Sequence, residues 1–263
     1  QILNILVLNY LNKKQILIIH DSHNSLIFKF LLKLLIKKET KIIFVSEKSK
    51  NFYKNIFIKN KKLVIPTGTK NNKKNNKKNN KNSYTIGTSC NINPDKNILF
   101  LLKVAKILQE KNLNINIEIA GNIYKSQKNY YKLIKENIKK YKLNNFKFLG
   151  YKKNINNFLK NLDLYCCFSK YESSPLSVWE AMHQSLPIIT TDVGDLKHHI
   201  NKGKFGYVIK KFDEKIYASK IIEILNNKHI YNKLKLASYD YSRKNFNRDK
   251  NFKKLLEFVF SNK

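Results

Sequence analysis

Residues 168–194 read FSKYESSPLSVWEAMHQSLPIITTDVG, and this stretch decides more about the fold than any other. Ser174-Pro175 opens the run Leu176 to Met182 and marks a helix start. Serine is a good N-cap, and proline costs nothing at the first helical position because the missing N–H has no partner there. The pattern therefore predicts Ser174 at the N-cap and Pro175 at N1. The amides of Leu176 and Ser177 would point out of the helix end along its positive dipole, an arrangement suited to phosphate. Glu172 lies just outside that end, and Glu180 lies between one and two turns inside it. A carboxylate beside phosphate is unfavourable unless it has another task, and accepting hydrogen bonds from sugar hydroxyls is such a task. The plainer alternative makes Glu172 a dipole-complementing surface charge and Glu180 a solvated helix residue. Leu164–Phe168 before the helix and Ile188–Thr190 after it have strand character, so the stretch reads as strand–helix–strand.

The alternation continues in both directions. Tyr84–Thr88, Ile115–Ala120 and Phe146–Leu149 read as strands, with Gly206–Ile209 as a last short one. Asn97–Lys111 is a helical pattern with Ile98, Leu101, Leu102, Ala105 and Leu108 on one face. Lys125–Leu143 is a second, with Tyr131, Ile134, Ile138 and Tyr141 inward. Asp213–Asn226, Lys228–Ala237 and Asp249–Phe260 read as terminal helices. Nearer the front, Gln15–His20, Lys41–Val45 and Leu63–Ile65 are strand-like, and Ser22–Lys37 is helical. Between the two regions, Lys70–Ser83 has no apolar residue and reads as a solvated linker. Alternating strands and helices imply an α/β fold with a doubly wound parallel sheet, whose ligands bind at the carboxyl ends of its strands. The expected organisation is a partial N-terminal Rossmann-like domain over 1–68, a Lys/Asn low-complexity linker over 69–83, and a C-terminal domain over 84–263 that includes the terminal helices.

Composition narrows the function classes. Of 263 residues, 52 are Lys or Arg and 18 are Asp or Glu, for a net charge of +34. Arg243 and Arg248 are the only arginines, so fifty of these charges are lysine. Phosphodiester-binding surfaces usually draw on the bidentate guanidinium as well. The chain also lacks a nucleic-acid recognition motif or an aromatic platform on a basic face, which argues against a nucleic-acid partner. Cys90, Cys166 and Cys167 form neither a disulfide framework nor a zinc pattern and point to a reducing cytoplasm. The stretch Ile27–Lys38 (IFKFLLKLLIKK) is basic and amphipathic. It suits either a core-facing helix with snorkelling lysines or peripheral contact with an anionic inner membrane face.

Glu172 and Glu180 are separated by seven residues within S-x-x-E-S-S-P-L-x-x-x-E-A-M, followed by P-I-I-T-T-D-V-G. This pattern resembles the signature of the retaining family 4 glycosyltransferases of the GT-B fold. The likeness extends in order through Ile42–Glu47, Val64–Gly68, Ile86–Thr88 with Asn93–Asn97, Ile119–Gly121 and Phe148–Gly150. It implies sugar transfer from a nucleotide-sugar donor to a hydroxyl on a glycan or lipid-linked acceptor, with the anomeric configuration kept. By the same resemblance Lys96 is the cation beside the diphosphate, and the end formed by Ser174, Pro175, Leu176 and Ser177 holds its other side. Glu172 would bind donor-sugar hydroxyls, Glu180 the ribose, and His20 would be the histidine the N-terminal domain presents to the sugar. No D-x-D pair lies near these segments, and the family's fold needs no metal for the diphosphate, so neither metal nor cofactor is expected.

Three departures qualify the resemblance. Asn91 stands five residues before Lys96, where arginine is usual, and offers an amide without a charge. Ser185 stands where glycine is usual, and serine is comfortable in that turn only if its φ is negative. The front region is short for a full doubly wound domain and the chain opens on Gln1, so a truncated N-terminal domain is expected. Asn91 and the short front also suit an alternative, a donor-binding relative or fragment that does not transfer.

Overall fold

The computed structural model describes residues 2–11, 14–20, 25–70 and 83–261. The chain divides into two compact units, residues 1–70 with 245–263, and residues 71–244. The expected linker falls almost wholly outside the described residues.

In the first unit, α1 (Ile2–Tyr10) precedes β1 (Ile16–Ile19), α2 (Leu26–Leu35), β2 (Lys41–Phe44), α3 (Glu47–Phe52) and β3 (Lys62–Val64). The strands form a parallel sheet in the order β1-β2-β3, with Ile18 opposite Ile43 and Ile43 opposite Leu63. Serine caps start two of the helices: Ser25 Oγ accepts from the Phe28 amide, and Ser46 Oγ from that of Ser49. Leu32, Ile42, Phe44, Tyr53 and Phe57 fill the core of this unit.

The second unit runs β4 (Tyr84–Ser89), α4 (Ile98–Glu110), β5 (Ile115–Ala120), α5 (Lys128–Lys140), β6 (Phe146–Phe148), α6 (Ile155–Asn161) and β7 (Leu164–Cys167). It continues through α7 (Leu176–His183), β8 (Ile188–Thr191), α8 (Leu196–Gly203), β9 (Gly206–Ile209), α9 (Glu214–Asn226) and α10 (Lys228–Asn245). Its six strands are all parallel, in the order β6-β5-β4-β7-β8-β9. The strand order reverses between β4 and β7, and in such sheets the crevice at that reversal takes the ligand. The predicted α4 face is buried in full, from Ile98 to Leu108, and packs with α9 against Ile86, Ile117, Leu164 and Ile189. In α5, Ile134 is buried while Tyr131, Ile138 and Tyr141 pack at the edge of the same core.

The last helix, α11 (Arg248–Phe260), groups with the first unit, whereas the sequence reading placed all the terminal helices in the C-terminal domain. Its attachment is polar and long-range. Lys41 Nζ donates to the carbonyls of Phe258, Val259 and Ser261 at 2.8, 2.9 and 2.7 Å, and so covers the open end of the helix. Thr69 pairs with Asn247 in a parallel bridge, and Asn251 Nδ2 donates to Pro66 O at 3.0 Å. Gly68 is needed at this junction, because a Cβ there would stand 2.6 Å from Arg248 Cα.

Candidate active site

A cleft of about 560 Å³ opens at the carboxyl ends of β4 and β7, at the switch in strand order. Its lining includes Asn91, Lys96, Glu172, the segment Ser174–Ser177, and Glu180. Eight of the nine residues predicted from the sequence therefore meet here. The ninth, His20, follows the end of β1 in the first unit and is exposed.

Lys96 ends a 3₁₀ turn, Pro94–Lys96, which Asn93 caps by accepting the Lys96 amide at 3.1 Å. Asn97 follows in the left-handed region at φ 54°, a conformation asparagine tolerates, and redirects the chain into α4. Lys96 Nζ donates to Glu172 Oε1 at 2.6 Å, with the two side chains 24% and 13% exposed. Burial alone would lower the pKa of this ammonium, but the charge and hydrogen bond of Glu172 outweigh it and hold the pKa above the usual lysine value.

Glu172 is fixed from behind. Ser169 Oγ donates to its Oε1 at 2.8 Å, and Thr191 Oγ1 donates to Ser169 O at 2.6 Å, linking this loop to the end of β8. The Lys170 amide donates to Asp95 O at 2.7 Å and joins the loop to the 3₁₀ turn that carries Lys96. Gly194, at φ +53°, lets the loop after β8 pass close by, since a Cβ there would lie 2.6 Å from Ser173 O. Its place at the end of TTDVG thus has a steric cause. Among these supporting residues, Ser169 was visible as the serine of S-x-x-E, whereas Thr191 carried no sequence signal for its role.

The helix start differs by one residue from the expectation. Pro175 is the N-cap: its carbonyl accepts from the amides of Val178 and Trp179, and Leu176 is the first helical residue. Ser174 does not cap the helix, because its hydroxyl accepts Trp179 Nε1–H at 3.2 Å. The amides of Leu176 and Ser177 still lead the helix with no carbonyl partner among the described residues, as first-turn amides do. Glu180 is half-buried one turn in, and burial pushes its carboxyl pKa above the ordinary value. The cleft floor is neutral: Ser89 Oγ and Tyr165 OH lie 3.1 Å apart, and burial pushes the Cys90 thiol up to about 12, so it is not a thiolate nucleophile.

The wall formed by Tyr124, Tyr151 and Lys152 was not predicted. Its only sequence signal was position, just after the glycines that close strand-like runs at Gly121 and Gly150. Among the described residues no group of three or more His, Cys, Asp or Glu side chains could hold a metal ion, and no helix is long and apolar enough to cross a membrane.

Comparison with known proteins bears on the family and the fold. Over 202 residues the chain is 27% identical to a Thermosipho melanesiensis protein named probable sucrose-phosphate synthase, covering 73% of this chain and 46% of that protein. It thus spans about half the length of that relative. Alr3699/HepE from Anabaena, crystallised with UDP and glucose, superposes with a TM-score of 0.82 at 16% identity, over 98% of this chain and 74% of that one. A TarM variant of S. aureus, in complex with fondaparinux, α-GlcNAc-glycerol and UDP, gives 0.80 at 21%, over 95% and 51%. These likenesses show a GT-B fold. The profile of the glycosyl transferases group 1 matches residues 69–241, well over half of the chain, and the chain belongs to that family.

Proposed function

We propose that this protein moves a sugar from a nucleoside-diphosphate donor to an acceptor hydroxyl on a glycan or glycolipid, with the anomeric configuration retained. The observation that carries this reading is the meeting of Lys96, Glu172, Glu180 and the α7 amides in one cleft at the switch point. The spacing of Glu172 and Glu180, which resembles the signature of the family 4 retaining enzymes, supports the retained configuration in this reading. The UDP held by the Anabaena and S. aureus neighbours supports uracil as the base.

In this reading negative charge grows on the leaving diphosphate as the sugar becomes oxocarbenium-like. Lys96 and the amides of Leu176 and Ser177 meet that charge, and being fixed beforehand they need little reorganisation. No metal is required for that task. Lys96 must be shared between Glu172 and the diphosphate, while Ser169 keeps Glu172 in place to accept hydroxyl hydrogen bonds from the donor sugar. Glu180, half-buried and with no ion-pair partner among the described residues, gains most from ribose hydroxyls as donors. His20 is assigned to the donor sugar on the resemblance alone.

The acceptor side of the proposal rests on α2. Leu26, Ile27, Phe30 and Leu34 are 62–82% exposed, and Lys29 and Lys33 lie among them. That face suits peripheral contact with an anionic bilayer, and so a lipid-linked acceptor on its cytoplasmic side. The uncharged Asn91 in the cleft favours one second reading, a donor-binding relative without turnover. Release of UDP from UDP-glucose and UDP-GlcNAc, with product configuration read by NMR, separates the two. Turnover that falls about 100-fold or more in Glu172→Gln, with UDP affinity kept, supports transfer. UDP binding without turnover supports the second reading.

A further inference from the structure

The charged side chains lining the cleft cancel. Lys96 and Lys152 stand against Glu172 and Glu180, and Lys96 is already bonded to Glu172 at 2.6 Å. A nucleoside diphosphate would bring two or three negative charges into a site whose formal sum is zero, beside a carboxylate, Glu180, that burial already disfavours as a charge. The amides of Leu176 and Ser177 offer partial charges only. Asn91 offers a dipole and no charge. Lys96 is already committed to Glu172, so the diphosphate needs a second lining cation that is free to meet it; among the described residues Lys152 is the other cation in the lining and has no ion-pair partner.

The loops that carry Asn91 and Lys152 are stitched together. Gly121, at φ +152°, packs so tightly on the Cys90 carbonyl that a Cβ would collide with it, and the Gly121 amide donates to Gly150 O at 2.9 Å. Gly121 thus holds the residue before Asn91 on one side and anchors the Lys152 loop, two residues upstream, on the other. At φ +64° Gly150 turns that loop where a Cβ would meet nothing within 4 Å. Lys152 leaves this anchored turn as an exposed residue of the cleft wall.

We infer that Lys152 is a donor-phosphate ligand, supplying from the loop after β6 the second positive charge that Asn91 does not. The inference rests on the donor site proposed above. The distinction from a solvated surface lysine is selectivity: a phosphate ligand matters to UDP and not to uridine, which shares the base and ribose but lacks the diphosphate.

The test is calorimetric titration of UDP and uridine into the full chain and its Lys152→Met, Lys152→Arg, Asn91→Arg and Asn91→Arg/Lys152→Met variants, at low and moderate salt. Lys152→Met should weaken UDP about tenfold and uridine less than twofold, with a shallower salt dependence for UDP. Lys152→Arg should keep UDP affinity, and Asn91→Arg should restore most of what Lys152→Met loses. Unchanged UDP affinity in Lys152→Met overturns the inference while leaving the donor site standing. An equal loss for UDP and uridine also overturns it, placing the lysine on base or ribose. No nucleotide binding by the unaltered chain overturns the donor site and this inference together.

Discussion

Replacing Ser185 with glycine should make the protein more stable, and the structure sets the size of the gain. Ser185 follows α7 in a Schellman turn: its amide donates to Met182 O at 2.9 Å, and the Leu186 amide donates to Ala181 O at 3.2 Å. The turn requires φ +60° at this position, and the residue is fully buried, with no partner for its hydroxyl among the described residues. The left-handed conformation costs a non-glycine residue roughly 1–2 kcal/mol. Burying a hydroxyl unpaired costs about another 1 kcal/mol. Against these stand the extra backbone entropy of glycine, about 0.5–1 kcal/mol, and a small void worth about 1 kcal/mol or less. The balance favours Ser185→Gly by about 1 kcal/mol, or roughly 2–4 °C in Tm for a unit of this size. Ser185→Ala keeps the strain and removes only the hydroxyl, so it should gain less. Thermal and urea unfolding of the three chains measure the ranking. A glycine variant less stable than the parent, or than the alanine variant, would refute the claim that this turn stores backbone strain.

Other consequences are as direct. Lys41→Met removes the donor to three carbonyls at the end of α11 and should cost about 1–3 kcal/mol locally; hydrogen exchange over 248–260 should quicken while that of 84–120 does not. Burial, then the neighbouring charges of His198 and Lys202, lower the pKa of His199 to about 4, against an ordinary value near 6.5. The unfolded chain therefore binds this proton first, so stability should fall as pH drops from about 6.5 to about 4 and the loss should be complete below that. His199→Gln, which removes the titrating ring beside Tyr241, should flatten this part of the stability–pH curve. On the α2 face, Ile27→Ser/Phe30→Ser should lower co-sedimentation with phosphatidylserine vesicles at least tenfold, while neutral vesicles bind neither chain appreciably.

Much of the second unit was legible because its signals are local. The α4 face from Ile98 to Leu108 repeats at helical spacing, and each of its five predicted residues is buried. The Ser174-Pro175 start was legible to within one residue. It missed the cap because Trp179, itself inside the helix, takes the serine hydroxyl, a choice set by packing and not by capping preference. Lys96 was one lysine among fifty until the resemblance singled it out, since its bond to Glu172 joins residues 76 positions apart. Distance along the chain also hid the place of α11: nothing near Arg248–Phe260 in the sequence shows that Lys41 covers its end. The front helix α1 went unread because its apolar residues run almost continuously and show little periodicity. Asn91 and Ser185 were visible as departures from a pattern. What each departure means depends on the Lys152 loop and on a buried turn, neither of which spacing encodes.

The most direct test of the donor site is a thermal-shift screen of the chain and its Glu180→Ala variant against UDP, GDP, ADP and CDP, each with and without Mg²⁺. At about 100 times its Kd a ligand stabilises the fold by about 2.7 kcal/mol. The account predicts a shift with UDP that does not depend on Mg²⁺ and shrinks clearly in Glu180→Ala. A folded chain that responds to none of the four, or a Glu180→Ala variant that responds as the parent does, would contradict it.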